Sequence, residues 1–191
     1  MTKYYTGIGS RDLPEEAYST LRQIGYKLKS LGYALRSGAA AGADDAFWLG
    51  ACQYYDEKGA GREPRPEGIY LPWDGFNGYS TDHHWGCFRT PFCRDKAIGF
   101  EARKIAEQVH PAWERCGKGA KAMHARNVLQ LLGDDLTTPS KFLVCWAPMT
   151  GEDTISGGTS TAWEIAKLHN VPRFNINNPV DLLRIKEWLN V

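Results

Sequence analysis

The sequence predicts an α/β fold in three layers, a mainly parallel sheet with helices on both faces. Two observations carry this. Strand-like segments alternate with segments of helical period along the chain, the pattern of βαβ units joined by right-handed crossovers. One strand-like run, KFLVCWAP (141–148), is apolar almost without interruption, as expected where both faces of a strand are covered.

The elements follow in order. KYYTGIGS (3–10) reads as a strand ending in a glycine-rich turn. In 11–32, Ala17, Leu21, Ile24, Leu28 and Leu31 recur every three or four residues, one face of a helix. Asp12 with Glu15 resembles a capping box, and Gly32 suits the C-terminal stop. YALRSG (33–38) is a second strand and 42–59 a second helix, with Asp44 or Asp45 in its first turn. GIYLPW (68–73) is a third strand. Residues 74–119 lack a clean period and are rich in glycine and aromatics; they read as a long loop or lid, with helical character before Pro111. KAMHARNVLQLLG (121–133) is a helix. After 141–148, a loop at 156–161 opens another helix, RFNIN (173–177) is a last strand, and 179–191 is a closing helix.

Bulk properties narrow the class. A chain of 191 residues suits a single domain, 1–191, with a substantial core; two would be cramped. The net charge of +1 is against a surface built for duplex binding, though a local basic patch remains open. The five cysteines are odd in number and form no CxxC pair, and the start MTKYYTGIGSRD has no apolar signal-peptide region. No apolar run approaches the roughly 20 residues of a membrane span. We therefore expect a cytoplasmic protein with reduced thiols and no membrane contact. The seven tryptophans are expected in the core or along a cleft.

Three loops rich in small residues leave the carboxyl ends of predicted strands: Gly7 to Arg11, Ser37 to Asp44 and Ser156 to Thr161. In parallel sheets ligands bind at that rim, near the switch in strand order. GIGSRD (7–12) begins like a dinucleotide fingerprint, but position 12 is Asp and the second strand ends in Arg36-Ser37 and not in an acid, which argues against a standard NAD site. Its glycines serve either a tight packing turn or a ligand approaching Gly7, Gly9, Ser10 and Arg11. In RSGAAAGADD (36–45), the small residues Ser37, Gly38 and Gly42 precede a helix N-terminus able to bind an anion; Asp44 either caps that helix or accepts hydrogen bonds from a sugar or base. In SGGTSTAWE (156–164), the amides of Gly157, Gly158 and Thr159 with the hydroxyls of Thr159, Ser160 and Thr161 suit a phosphate. Glu164 lies one turn on, where it either faces the cleft or is a solvated helix-start acid. In MHARN (123–127), Arg126 is a candidate fork for phosphate or carboxylate, while His124 alone reads as a packed or solvent histidine. His83, His84, Cys87, Cys93, His110 and Cys116 match no tight zinc-finger spacing, so no metal is assigned.

Together these motifs resemble the SLOG superfamily of Rossmann-like nucleotide-binding proteins, over most of the chain outside 74–119. The LOG branch, cytokinin-riboside-monophosphate phosphoribohydrolases, carries PGGxGTxxE and MHxRK motifs. Here Ser156 to Glu164 and Met123 to Asn127 match them, with Ser156 for proline, Ser160 for glycine and Asn127 for lysine. GIGSR, SGAAAGADDAFWLGA and the Arg126-Asn127 pair resemble the DprA-like DNA-processing branch equally well, and small stand-alone proteins of this kind are common in phage genomes. The LOG likeness implies Arg126 and Glu164 as a catalytic pair, Gly157, Gly158, Thr159 and Thr161 as phosphate binders, and hydrolysis of the N-glycosidic bond of a nucleoside 5′-monophosphate or related nucleotide. A fixed carboxylate would stabilise the oxocarbenium-like state. Transfer of the sugar to another base uses the same groups. The departures motivate a different expectation: a non-catalytic module that binds single-stranded DNA, or that senses or sequesters a signalling nucleotide. No cofactor is implied, and the family implies a homo-oligomer.

Overall fold

The computed structural model describes residues 2–61, 63–91 and 95–191. A six-stranded, all-parallel sheet runs β4-β3-β2-β1-β5-β8, with β1 at Lys3–Gly9, β2 at Tyr33–Ser37, β3 at Gly68–Tyr70, β4 at Phe88–Arg89, β5 at Leu143–Trp146 and β8 at Arg173–Asn175. A two-stranded antiparallel hairpin, β6 (Met149–Gly151) and β7 (Thr154–Ile155), stands apart from it. The helices are α1 (Glu15–Ser30), α2 (Ala43–Glu57), α3 (Lys96–Val109), α4 (Lys118–Leu132), α5 (Thr159–Leu168) and α6 (Pro179–Leu189). The chain winds outward from β1 in both directions, through β2 to one edge and through β5 to the other. The switch in strand order therefore falls between β1 and β5.

The pleat of β1 sorts its side chains between two cores. Tyr5 joins the cluster beneath α1, α2 and α6, with Leu21, Ile24, Phe47 and Ile185. Ile8 joins the opposite cluster, with Ala106, Val128, Leu132 and Ile165 from α3, α4 and α5. This is the three-layer α/β sandwich that the alternating pattern predicts. The no-alternation reading of 141–148 also fits: Leu143, Val144 and Cys145 are all fully buried, and Val144 faces one core while Leu143 and Cys145 face the other.

Helices α1 and α2 meet backbone to backbone. A Cβ on Gly25 would sit 2.6 Å from the Phe47 carbonyl oxygen, and one on Gly50 would collide with the carbonyl of Arg22. Both positions face backbone, which has little freedom to retreat.

Local expectations fail in three places. Asp12 does not cap α1: the helix begins after Pro14, and no side chain caps it. The Asp12 amide instead donates to Ser10 Oγ at 3.3 Å. The hairpin β6–β7 replaces a plain loop ahead of 156; its strands are too short and too exposed to print a period. Residues 74–119 are only partly loop. They supply the unexpected edge strand β4, and the helical character read before Pro111 is the 14-residue α3, which packs on α4 through Ala102 and Ala106. No described helix is long and apolar enough to cross a membrane.

Gly50→Ala is expected to lower stability by about 1–3 kcal/mol through overpacking at the α1–α2 crossing. Equilibrium urea denaturation checks this; an unchanged midpoint would mean that the two helices can part at no cost.

Candidate functional site

At the carboxyl rim, β1 ends in Gly9, whose amide donates to Asp44 Oδ1 at 3.2 Å. Asp44 sits in the first turn of α2 but does not cap it; the N-cap residue is Gly42, at φ +84° and without a side-chain bond. Its second oxygen accepts from the Ala40 amide at 3.4 Å and lies 3.5 Å from Arg126 Nη2. Arg126 reaches across from α4, and its Nη1 donates to the Gly38 carbonyl. Both side chains are almost wholly buried. Burial raises the Asp44 carboxyl above its usual range, against the opposing pull of Arg126 and of the Ala40, Gly9 and Gly38 amides. Burial lowers Arg126, and Asp44 holds it up.

Close packing accounts for the small residues around this pair. A Cβ on Gly38 would run into Gln130 and Arg126, and one on Gly9 into Ala43 and the Trp146 carbonyl. Gly42 needs its positive φ and lies against the Ser10 and Arg11 backbone.

A second set of contacts binds α4 to the start of α5. Asn127 Nδ2 donates to the Gly158 carbonyl at 2.8 Å, and His124 Nδ1 lies 2.8 Å from Thr161 Oγ1. His124 is largely buried beside His110 and Arg126, and desolvation first, then those two neighbours, pull it down to about 4. Ser160 Oγ donates to the Gly157 carbonyl at 2.7 Å, closing the turn in which Gly157 takes φ +80°. A Cβ on Gly158 would meet nothing, so glycine there leaves open space.

The two sets of contacts enclose a cavity of about 310 Å³ at the β1–β5 switch point, at the lower end of the range for small-ligand pockets. Of the residues proposed from sequence, Gly9, Arg11, Asp44, Arg126, Gly158 and Thr159 line it. The rest do not. Gly7 packs on Phe47 and Leu35, and Ser37 Oγ donates to its carbonyl at 2.6 Å inside the sheet. Ser10, Gly38, Gly42, Gly157, Ser160 and Thr161 lie outside the lining, next to it in sequence or contact. Glu164 is half-buried one turn further along α5 and does not line the cavity; it makes no hydrogen bond or ion pair among the described residues. The carboxylate that shares the cavity with Arg126 is thus Asp44.

Gln130 was not singled out from sequence, yet it lines the cavity and is fully buried, and neither its Oε1 nor its Nε2 has a hydrogen-bond partner. Arg126 Nε is likewise buried and unpaired. Unmade bonds of this kind cost about 1–3 kcal/mol each, and they are rare without a reason. Its sequence signal was spacing: Gln130 is four residues beyond Arg126, on the same face of α4. Met123, Ile8 and Ala40 add apolar lining. The 74–119 segment touches this region too: the Arg126 guanidinium lies 5.5 Å from the Phe76 ring centroid, and Asn77 Nδ2 donates to the Ala39 carbonyl at 2.8 Å.

A larger cleft, about 510 Å³, opens between the hairpin, α5 and β8. Asp153 there pairs with Lys167 at 3.2 Å and with Arg173 at 3.1 Å, while Arg173 Nη1 is buried without a partner among the described residues. The smaller cavity, where a whole buried carboxamide is unpaired, is the better candidate.

Of the histidines and cysteines weighed for zinc, His83 and His84 stack on each other 4.3 Å apart, Cys87 is buried in the α2-side core, and Cys93 lies outside the described residues. His110 and Cys116 come together, and His124 joins them.

No family model and no curated protein sequence matches the chain. Among solved structures, it is similar to DNA processing protein A from Helicobacter pylori, described for its single-stranded DNA binding mode. Identity is 14%, with 99% of this chain and 79% of that chain covered, at a TM-score of 0.42.

Removing Asp44 strands a buried guanidinium, so Asp44→Ala is expected to cost about 3–5 kcal/mol. Glu164→Ala is expected to change stability by less than about 0.5 kcal/mol. Urea denaturation of both variants checks the contrast, and similar losses in the two would refute the assignment of roles.

Proposed function

We propose that this cavity binds one nucleotide unit, presented either as a free nucleotide or as a residue of single-stranded DNA, and that the protein is a binding module. The supporting observation is the Gln130 carboxamide, fully buried, unpaired and facing the cavity beside the unpaired Arg126 Nε. A carboxamide presents one donor and one acceptor side by side, which suits the edge of a base. The first turn of α5, also in the lining, offers the amides of Gly158 and Thr159 to an anion, with the exposed Arg11 in the same lining. Met123, Ile8 and Ala40 add apolar surface to the same lining. An anionic group joined to a flat polar ring through a less polar middle is what a nucleotide offers.

Hydrolysis of an N-glycosidic bond, the reading that Glu164 and Arg126 motivate from sequence, finds no support in this geometry. The reaction needs a carboxylate free to face the sugar. Glu164 is not in the cavity, and both oxygens of Asp44 are engaged by Gly9, Ala40 and Arg126. His124 is held neutral and tied to Thr161, so it offers no ready proton at neutral pH.

Gln130→Leu separates binding from folding. It keeps approximate shape while deleting the orphan amide. We expect about tenfold weaker nucleotide or oligonucleotide binding, equivalent to about 1.4 kcal/mol, with an unchanged or higher urea midpoint. Calorimetry against nucleoside monophosphates and a short oligodeoxynucleotide reads the affinity. Undiminished affinity in the variant, or no binding by the wild type, would overturn the proposal. Affinity that falls steeply with salt identifies the strand as ligand, because each phosphate neutralised contributes to the slope.

A further inference from the structure

We propose that His110, Cys116 and His124 form a binding site for one divalent transition-metal ion of the zinc class. The three side chains come from separate segments: His110 follows the last turn of α3, Cys116 follows the short helical turn Trp113–Arg115, and His124 lies on α4. Folding alone brings them together, and one ligand atom from each lies within 4.8 Å of the others. Cys116 Sγ is already 3.8 Å and 3.9 Å from the two ring nitrogens of His110. Zinc bonds of about 2.0–2.1 Å to nitrogen and 2.3 Å to sulfur place tetrahedral donors about 3.3–3.8 Å apart. Closing on the ion thus takes about an ångström of side-chain adjustment.

The donor set is chemically apt. Two imidazoles and one thiolate suit zinc, and three protein ligands leave a fourth position for water or another donor. Support behind one ligand is already built: His124 Nδ1 faces the Thr161 hydroxyl at 2.8 Å, so Nε2 is left to the ion. His110 requires one exchange. The Ala112 amide donates to its Nδ1 at 3.2 Å, which puts the proton of the neutral ring on Nε2. Metal at Nε2 moves that proton to Nδ1 and gives up the Ala112 contact. The His110 and His124 rings lie 4.3 Å apart, edge to face, and the buried Trp113 covers them at 6.2 Å and 6.3 Å. This apolar cover strengthens bonds between the ion and its charged ligand. His124 also lines the neighbouring cavity, but the ion needs only these three side chains, whether or not that cavity takes a nucleotide.

Cobalt(II) reports on the site directly, since a thiolate ligand gives a near-ultraviolet sulfur-to-cobalt charge-transfer band. Titrating the metal-stripped full chain with cobalt alone should produce this band, saturating at one equivalent, and zinc should abolish it. Cys116→Ser should lose the band and bind at least tenfold more weakly, and His110→Gln should also weaken binding. Both residues are partly exposed, so the variants should keep the wild-type urea midpoint in the absence of metal. Absence of the band in the wild type would overturn the proposal. So would equal zinc affinity in Cys116→Ser, or binding that disappears only when His83 and His84 are replaced.

Discussion

The buried pair of Asp44 and Arg126 is the constraint on which the rim of this molecule depends. One carboxylate takes amide donors from the ends of two loops, and one guanidinium joins both to α4. A charge without water must be paired and hydrogen-bonded, so the loops can sit only where their amides and carbonyls reach this pair. Gly38 follows from it, and the packing around it fixes Gly9. Gly38 has no room for a side chain because Arg126 and Gln130 press against it, and Gly9 is short of room because Trp146 and Ala43 do. What looked in sequence like a ligand-cradling run of small residues is first a packing solution around an ion pair. The space left over becomes the cavity.

That space has a definite character. Gly158 and Thr159 bring the first amides of a helix to its lining, and Gln130 and Arg126 Nε bring polar atoms without a partner among the described residues. A fold that only needed stability would place leucine at 130, within an otherwise apolar turn of α4. Keeping a carboxamide there is costly in the empty protein and useful when something fills the cavity. The carboxylates, by contrast, are either engaged or elsewhere, which favours holding a ligand over breaking one.

Much of the architecture was legible in the residues. The three- and four-residue spacing of Leu21, Ile24 and Leu28 marked α1, and the unbroken apolar run through Leu143, Val144 and Cys145 marked a strand covered twice. The two-residue β4 carries no period of its own and exists because β3 offers it an edge. The Asp12–Glu15 pattern failed because Pro14 sets the helix start. At the site, Gly9, Asp44, Arg126 and Gly158 were legible because glycine turns and helix starts have local signatures. Gln130 was not, since its meaning depends on what surrounds it after folding. Glu164 misled for the converse reason: motif spacing puts it one turn beyond the loop, but only the packing of α5 on α4 decides which way that turn looks. The meeting of His110, Cys116 and His124 was equally invisible, because the third member comes from another helix.

On the reading proposed here, the buried amide of Gln130 is there to meet a ligand. The side-chain amide resonances of Gln130, followed by nitrogen-15 NMR while a nucleoside monophosphate or a short single-stranded oligonucleotide is added, test it most directly. These resonances should shift in a saturable way, and their exchange with solvent should change on binding. Contradiction would come from a ligand that binds while the Gln130 amide stays still and the resonances that move belong to Asp153, Lys167 and Arg173 in the larger cleft.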